Sequence, residues 1–212
     1  MDTGKQEVEA TNLLEVVPPT RPGYLAGRIG PMTSGKSSWL DIELTRFADI
    51  GLKVLKVNTV HDVRLSASAD DSGTSHSSTQ KVLSAKIDRQ KVKLLQEVDV
   101  TAYEVIGVDE CNFYEDLVVE VIKWVEKLGK HVLFTGLDGD FEKKPFGQTL
   151  QLIPYADECI KMNATCLFCL EEDRHNLRSA PFSRRLIKDD RKILVGGAEL
   201  YVATCRRHHV VL

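Results

Sequence analysis

Three groups of residues combine types and spacings that can do chemistry. The first is Gly30-Pro31-Met32-Thr33-Ser34-Gly35-Lys36-Ser37, which fits G-x-x-x-x-G-K-[ST] at every position. Glycines let a backbone curl with its N–H groups inward, and a helix N-terminus behind them favours anions. The lysine can reach the β- and γ-phosphates, and the serine hydroxyl can ligate Mg²⁺. A chance match occurs in roughly 1% of chains this long, so a glycine-rich turn with an incidental lysine is the weaker reading. An apolar run precedes the motif and a helical period follows it, the context it requires. The motif predicts a site for a nucleoside triphosphate such as ATP, held by Gly30 through Ser37.

The second group is Asp109-Glu110, which closes the apolar run Tyr103–Val108. Ligands of open α/β sheets bind beyond the carboxyl ends of the strands, so this pair is expected to face the phosphate loop. Asp109 would hold Mg²⁺ through water. Glu110 has two candidate tasks: orienting a water for hydrolysis, or removing a proton from a substrate hydroxyl. Successive strand residues point to opposite faces, so the two carboxylates need not share a role. Solvated acids at a strand end are the bland alternative.

The third group is Cys166-Leu167-Phe168-Cys169 with, later, Cys205-Arg206-Arg207-His208. Two such pairs on two knuckles would close a tetrahedral Cys3His zinc site, structural because it leaves no open position. His209 is adjacent, but the two-residue gap favours His208. A redox pair is the alternative, though the motif does not sit at the strand-to-helix turn of a thioredoxin-like unit. Cys111 and Cys159 read as reduced residues without assigned chemistry.

The elements that must position these groups follow from the pattern. Tyr24–Ile29 reads as a strand; Leu40, Leu44, Phe47 and Ala48 as one face of a helix stopped by Gly51. Further strands are expected at Val54–Val57, Tyr103–Val108, His131–Thr135 and Glu158–Met162. Leu117, Val118, Val121, Ile122, Val125 and Leu128 predict an amphipathic helix closed by Gly129. Strands alternating with helices predict an α/β fold of the P-loop, RecA-like kind, with a parallel sheet covered on both faces. Residues 1–23, ending in three prolines, read as a tail; 24–164 as the α/β unit; 165–212 as a small zinc-binding unit. The polar stretch Ser66–Gln80 cannot bury enough apolar area to offset its ordering entropy and reads as a mobile loop, a surface loop or a lid.

Composition bounds the rest. The 212 residues are 42% hydrophobic, enough for one well-buried core. With 28 basic and 31 acidic residues the formal net charge is -3, which argues against a dedicated nucleic-acid-binding domain. No run of about 18 apolar residues suggests a membrane span. The N-terminus lacks the apolar run of a secretory signal. Five cysteines, an odd number, suit a reducing compartment, so a cytoplasmic location is expected.

Taken in order, these residues resemble the zinc-containing thymidine kinases of cells and poxviruses over about Tyr24 to His208. The resemblance rests on Gly30-Pro31-Met32 leading into Ser34-Gly35-Lys36-Ser37, on Asp62-Val63-Arg64, and on Ile106-Gly107-Val108-Asp109-Glu110 with Phe113. It continues through Leu137-Asp138-Gly139 with Phe141, Lys144-Pro145-Phe146-Gly147, the C-x-x-C, and Gly196-Gly197-Ala198 with Tyr201 and Cys205. It implies transfer of the ATP γ-phosphate to the 5′-hydroxyl of thymidine, with deoxyuridine as a second substrate. Glu110 would be the general base, with Lys36 and Arg64 as catalytic cations. Met32, Phe113, Leu137, Phe141, Asn176 and Tyr201 would contact the nucleoside, under a lasso loop strung between the cysteine pairs. The resemblance further implies a homotetramer inhibited by deoxythymidine triphosphate. This chain departs from the family at Asn112, where Gln is usual, and at Asp140, Asn176, Trp39 and His208, the last in place of a fourth Cys. A RecA-like zinc-ribbon ATPase acting on nucleic acid, or a nucleotide-binding regulatory relative without chemistry, would share the phosphate loop and the acidic strand end.

Overall fold

The computed structural model describes residues 22–60, 86–189 and 199–211. Arg64, the Ser66–Gln80 stretch and Gly196-Gly197-Ala198 lie outside the described residues. Six strands form one parallel sheet: β1 (Tyr24–Ile29), β2 (Val54–Thr59), β3 (Ile87–Val92), β4 (Val105–Val108), β5 (His131–Gly136) and β6 (Glu158–Lys161), in the order β3-β2-β4-β5-β1-β6. The central strands are near-continuous apolar runs because both of their faces are covered.

One face packs on α1 (Lys36–Asp49), whose Leu40, Leu44 and Ala48 meet Ala26, Val54, Val105 and Leu133. The other packs on Leu117, Val121 and Trp124, which meet Leu25, Leu55, Ile106, Val132 and Phe134. Neighbours along one strand, such as Val105 and Ile106, enter opposite cores, as the pleat requires. Both faces are therefore covered, as expected from the sequence.

Three elements differ from expectation. β3 has no counterpart in the sequence reading: only Ile87 and Val92 of Ile-Asp-Arg-Gln-Lys-Val are buried, because it is an edge strand. The expected Tyr103–Val108 strand is shorter, at Val105–Val108. The helix expected to run to Leu128 is α-helical only over α2 (Leu117–Ile122) and widens into a π-turn at Lys123–Lys127, with Leu128 N–H donating to Lys123 O at 3.1 Å.

Beyond β6 the chain forms β7 (Ala164–Thr165), α3 (Leu167–Glu172), β8 (Ser179–Ala180), β9 (Phe182–Arg185) and β10 (Tyr201–Thr204). β7 pairs with β8 and β9 with β10, both antiparallel. Cys166, Cys169, Ala180, Ala203 and Cys205 make a separate small core. No helix among the described residues is long and apolar enough to cross a membrane.

Candidate active site and metal centre

A parallel sheet gathers its carboxyl ends on one edge, and here that edge carries the phosphate-loop motif, the acidic pair and the Leu137–Phe141 turn. Gly30 leaves β1 with φ +142°, and a Cβ there would lie 2.2 Å from the carbonyl oxygen of Met162. Met162 is itself fixed, its N–H donating to Ile29 O at 2.7 Å. Within the loop, Ser34 Oγ donates to Pro31 O at 2.9 Å. Lys36 Nζ donates to the same carbonyl at 2.6 Å and lies 3.4 Å from Ser34 Oγ. Two of the contacts of the Lys36 ammonium are thus neutral oxygens of its own loop, acceptors that a phosphate group would replace.

The strand β4 ends one residue before Asp109. Asp109 is buried, and its carboxylate is fully engaged. Oδ1 accepts from Ser37 Oγ at 3.0 Å, Thr135 Oγ1 at 2.6 Å and Glu110 N–H at 3.0 Å. Oδ2 lies 3.0 Å from Lys56 Nζ, which also donates to Asp41 Oδ1 at 2.8 Å. Burial opposes charge on both Asp109 and Lys56, yet their mutual attraction prevails. It holds the Asp109 carboxyl below its usual range and, with Asp41, the Lys56 ammonium above its own.

Glu110 adopts left-handed backbone angles, φ 50° and ψ 42°, and opens a single 3₁₀ turn at Cys111–Phe113. The pleat therefore does not decide where Glu110 points; the reversal after the strand does. A non-glycine residue in this region is strained, a feature concentrated at functional sites. Burial pushes the adjacent Cys111 thiol up to about 12, so it stays protonated and unreactive.

Around the carboxyl edge, Asn112 Oδ1 accepts from Leu137 N–H at 2.9 Å, and Phe113 meets Phe146 edge-on at 5.6 Å. Asp140 Oδ1 accepts from Glu142 and Lys144 N–H, both at 2.9 Å, fixing the turn that carries Phe141. β9 closes over this turn. The Arg185 guanidinium stands 3.7 Å over the Phe141 ring, donates to Tyr201 Oη at 3.0 Å and is 3% exposed. Ser183 Oγ accepts from Met32 N–H at 3.1 Å, joining β9 to the phosphate loop. Asn176 lies in the turn after α3, its backbone bonded to Asp173 and Arg178. Ser183, further along the same segment, is the residue that reaches Met32.

Lys56, Asp41, Thr135, Ser183 and Arg185 were not legible as site residues. A lysine amid Val54-Leu55-Lys56-Val57 was the available signal, because a buried strand lysine demands a counterion.

At the metal centre one ligand atom from each of Cys166, Cys169, Cys205 and His208 lies within 4.8 Å of the others. His208 Nδ1 is 3.5, 3.4 and 3.6 Å from the sulfurs of Cys166, Cys169 and Cys205, and the last two sulfurs are 3.7 Å apart. Ideal tetrahedral zinc, with Zn–S of about 2.3 Å and Zn–N of about 2.05 Å, would give edges of about 3.6 Å for S···N and about 3.8 Å for S···S. The four residues fit Zn²⁺. His208 Nε2 faces Glu172 Oε1 at 3.1 Å, and Arg207 holds that carboxylate through both Nη atoms at 3.1 and 3.0 Å. Such an outer carboxylate orients a ligating imidazole. His209 is buried edge-on to Phe182 at 5.5 Å and is not one of the four.

A model of the family described as "Thymidine kinase" matches residues 23–209. The chain is 33% identical over 197 residues to human cytosolic thymidine kinase, covering 91% of this chain and 77% of that protein. It is 32% identical over 189 residues to the thymidine kinase of raccoon poxvirus, covering 89% and 97%. A thymidine kinase of rice is 32% identical over 199 residues, covering 91% and 68%.

Proposed function

The chain belongs to the thymidine kinase family, and from that premise we propose that it transfers the γ-phosphoryl group of ATP to the 5′-hydroxyl of thymidine, with deoxyuridine as a second substrate. The observation that carries this reading is the 3.0 Å hydrogen bond from Ser37 Oγ to Asp109 Oδ1. It joins the phosphate loop to the acidic strand end, with Glu110 next in the chain.

In this reading Gly30 through Ser37 hold the phosphates. Ser37, backed by Asp109, would hold Mg²⁺, which when bound screens charge on the transferring group. Lys36 leaves its neutral acceptors for the γ-phosphoryl oxygens, and Arg64 adds a second positive charge. Glu110 takes the proton of the 5′-hydroxyl as that oxygen attacks phosphorus; the bond to the bridging oxygen breaks and ADP leaves. Met32, Phe113, Leu137, Phe141, Asn176 and Tyr201 enclose the nucleoside, and residues 165–212 serve as a zinc-tethered clasp on the α/β unit 24–164. Zn²⁺ on Cys166, Cys169, Cys205 and His208 would hold both ends of that clasp. A cytoplasmic homotetramer restrained by deoxythymidine triphosphate completes the reading.

The deciding experiment measures ADP release by the full chain with MgATP plus thymidine, deoxyuridine or single-stranded DNA. Thymidine should stimulate release and yield thymidine monophosphate. Stimulation by DNA with none by either nucleoside would overturn the reading.

A further inference from the structure

The strand β2 is buried along its whole length, yet a lysine sits in it. Lys56 is 3% exposed; its partners Asp41 and Asp109 are 8% and 5% exposed. Apolar side chains in place of the whole triad would fill this space at little cost, whereas three buried charges lose their hydration and regain little net stability. The triad therefore calls for an explanation other than fold stability.

Its geometry supplies one. Asp41 belongs to α1, the helix that opens with Lys36 and Ser37, while Asp109 follows β4 and precedes Glu110. One ammonium, 2.8 Å from Asp41 Oδ1 and 3.0 Å from Asp109 Oδ2, ties the phosphate-loop helix to the acidic strand end. With Oδ2 held from β2, Oδ1 is left to Ser37, Thr135 and the Glu110 backbone. Arg89, 3.9 Å from Asp41 and one-third exposed, reaches the triad only from its rim.

We propose that Lys56 is a positioning residue for phosphoryl transfer: by gripping Asp109 Oδ2 from within the sheet, it fixes Oδ1 against Ser37 and the backbone of Glu110. This rests on the kinase reading above. The competing account is that Lys56 only neutralises two buried acids. The two accounts part in Lys56→Arg, which keeps one cation against both buried acids but displaces the donor from Asp109 Oδ2.

Charge balance alone predicts wild-type stability and wild-type turnover in that variant. Positioning predicts thymidine KM within about twofold and kcat lower by about 10–100-fold, as for other lost outer-shell contacts. A second readout is ATP affinity by calorimetry with and without Mg²⁺, where the tightening by metal should shrink at least several-fold. Asp41→Asn, which leaves the Lys56 cation facing Asp109 but removes the anchor that fixes it, should lower kcat in the same direction and covers the case of a poorly folding Lys56→Arg. Wild-type kcat and an undiminished Mg²⁺ effect in either folded variant would reduce Lys56 to a counterion. If the wild-type chain fails to phosphorylate thymidine, the kinase reading falls, and the Mg²⁺–ATP comparison still decides the role of Lys56.

Discussion

Two buried clusters among the described residues obtain their counter-charge in opposite ways. At the carboxyl edge of the sheet, two buried carboxylates share the ammonium of Lys56, and the leftover acceptor capacity of Asp109 is taken by hydroxyls and a backbone N–H. In the C-terminal segment three sulfurs and an imidazole nitrogen converge within 4.8 Å. The first cluster carries its own counter-charge in the chain and is complete on folding. The second is built to take its counter-charge from solution. Buried charge needs a partner in both places; the difference lies in who supplies it.

The largest effect should come from breaking the second cluster. Chelation of the metal, or Cys169→Ser, should remove an interaction of the order of 10–16 kcal/mol in small structural zinc motifs. The C-terminal segment should then lose amide-exchange protection and thymidine binding while the sheet stays folded. Metal analysis should find one zinc per untreated chain; undiminished thymidine binding by metal-free protein would refute the clasp.

An intermediate effect should come from the carboxylate next to the first cluster. Glu110→Gln should lower kcat by about 10²–10⁴-fold and leave thymidine affinity nearly intact, since a 5′-hydroxyl is a poor nucleophile without a base. Steady-state kinetics beside direct binding would show this, and an unchanged kcat would remove Glu110 from its role.

The smallest effect sharpens the comparison at the rim of the metal cluster. Glu172→Gln weakens the partner of His208 Nε2 and should cost about 10–100-fold in zinc affinity. His209→Ala should leave zinc stoichiometry unchanged. Competition with a chromophoric chelator measures both; loss of zinc in His209→Ala would show that His209, not His208, is the ligand.

What the sequence made legible was local. The phosphate loop, the acidic pair and the C-x-x-C each lie within a few residues, so spacing alone identifies them, and the apolar central strands follow from their burial. What it hid was non-local or compensated. The strand β3 is polar because its edge position exposes most of it. The Lys56 network joins α1, β2 and β4 across long stretches of chain, with no periodicity to mark it. Ser183 escaped because resemblance pointed to Asn176, and the short strand β9 that carries Ser183 has no apolar alternation to mark it. Arg185 belongs to no motif, and only the ring of Phe141 beneath its guanidinium shows its place in the site.

The turn out of β1 also sets how far this chain can drift under mutation. Gly51 stands at φ +92° with open space around it, so backbone preference alone resists substitution, and an asparagine there would cost roughly 1–2 kcal/mol at most. Gly30 faces two independent vetoes, a backbone angle disfavoured for side chains and a carbonyl 2.2 Å from any Cβ. That carbonyl belongs to Met162, on the passage from the sheet to the metal-binding segment. A variant at Gly30 could survive only by shifting that passage as well, so the first residue of the phosphate loop and the strand exit beside it must vary together or not at all.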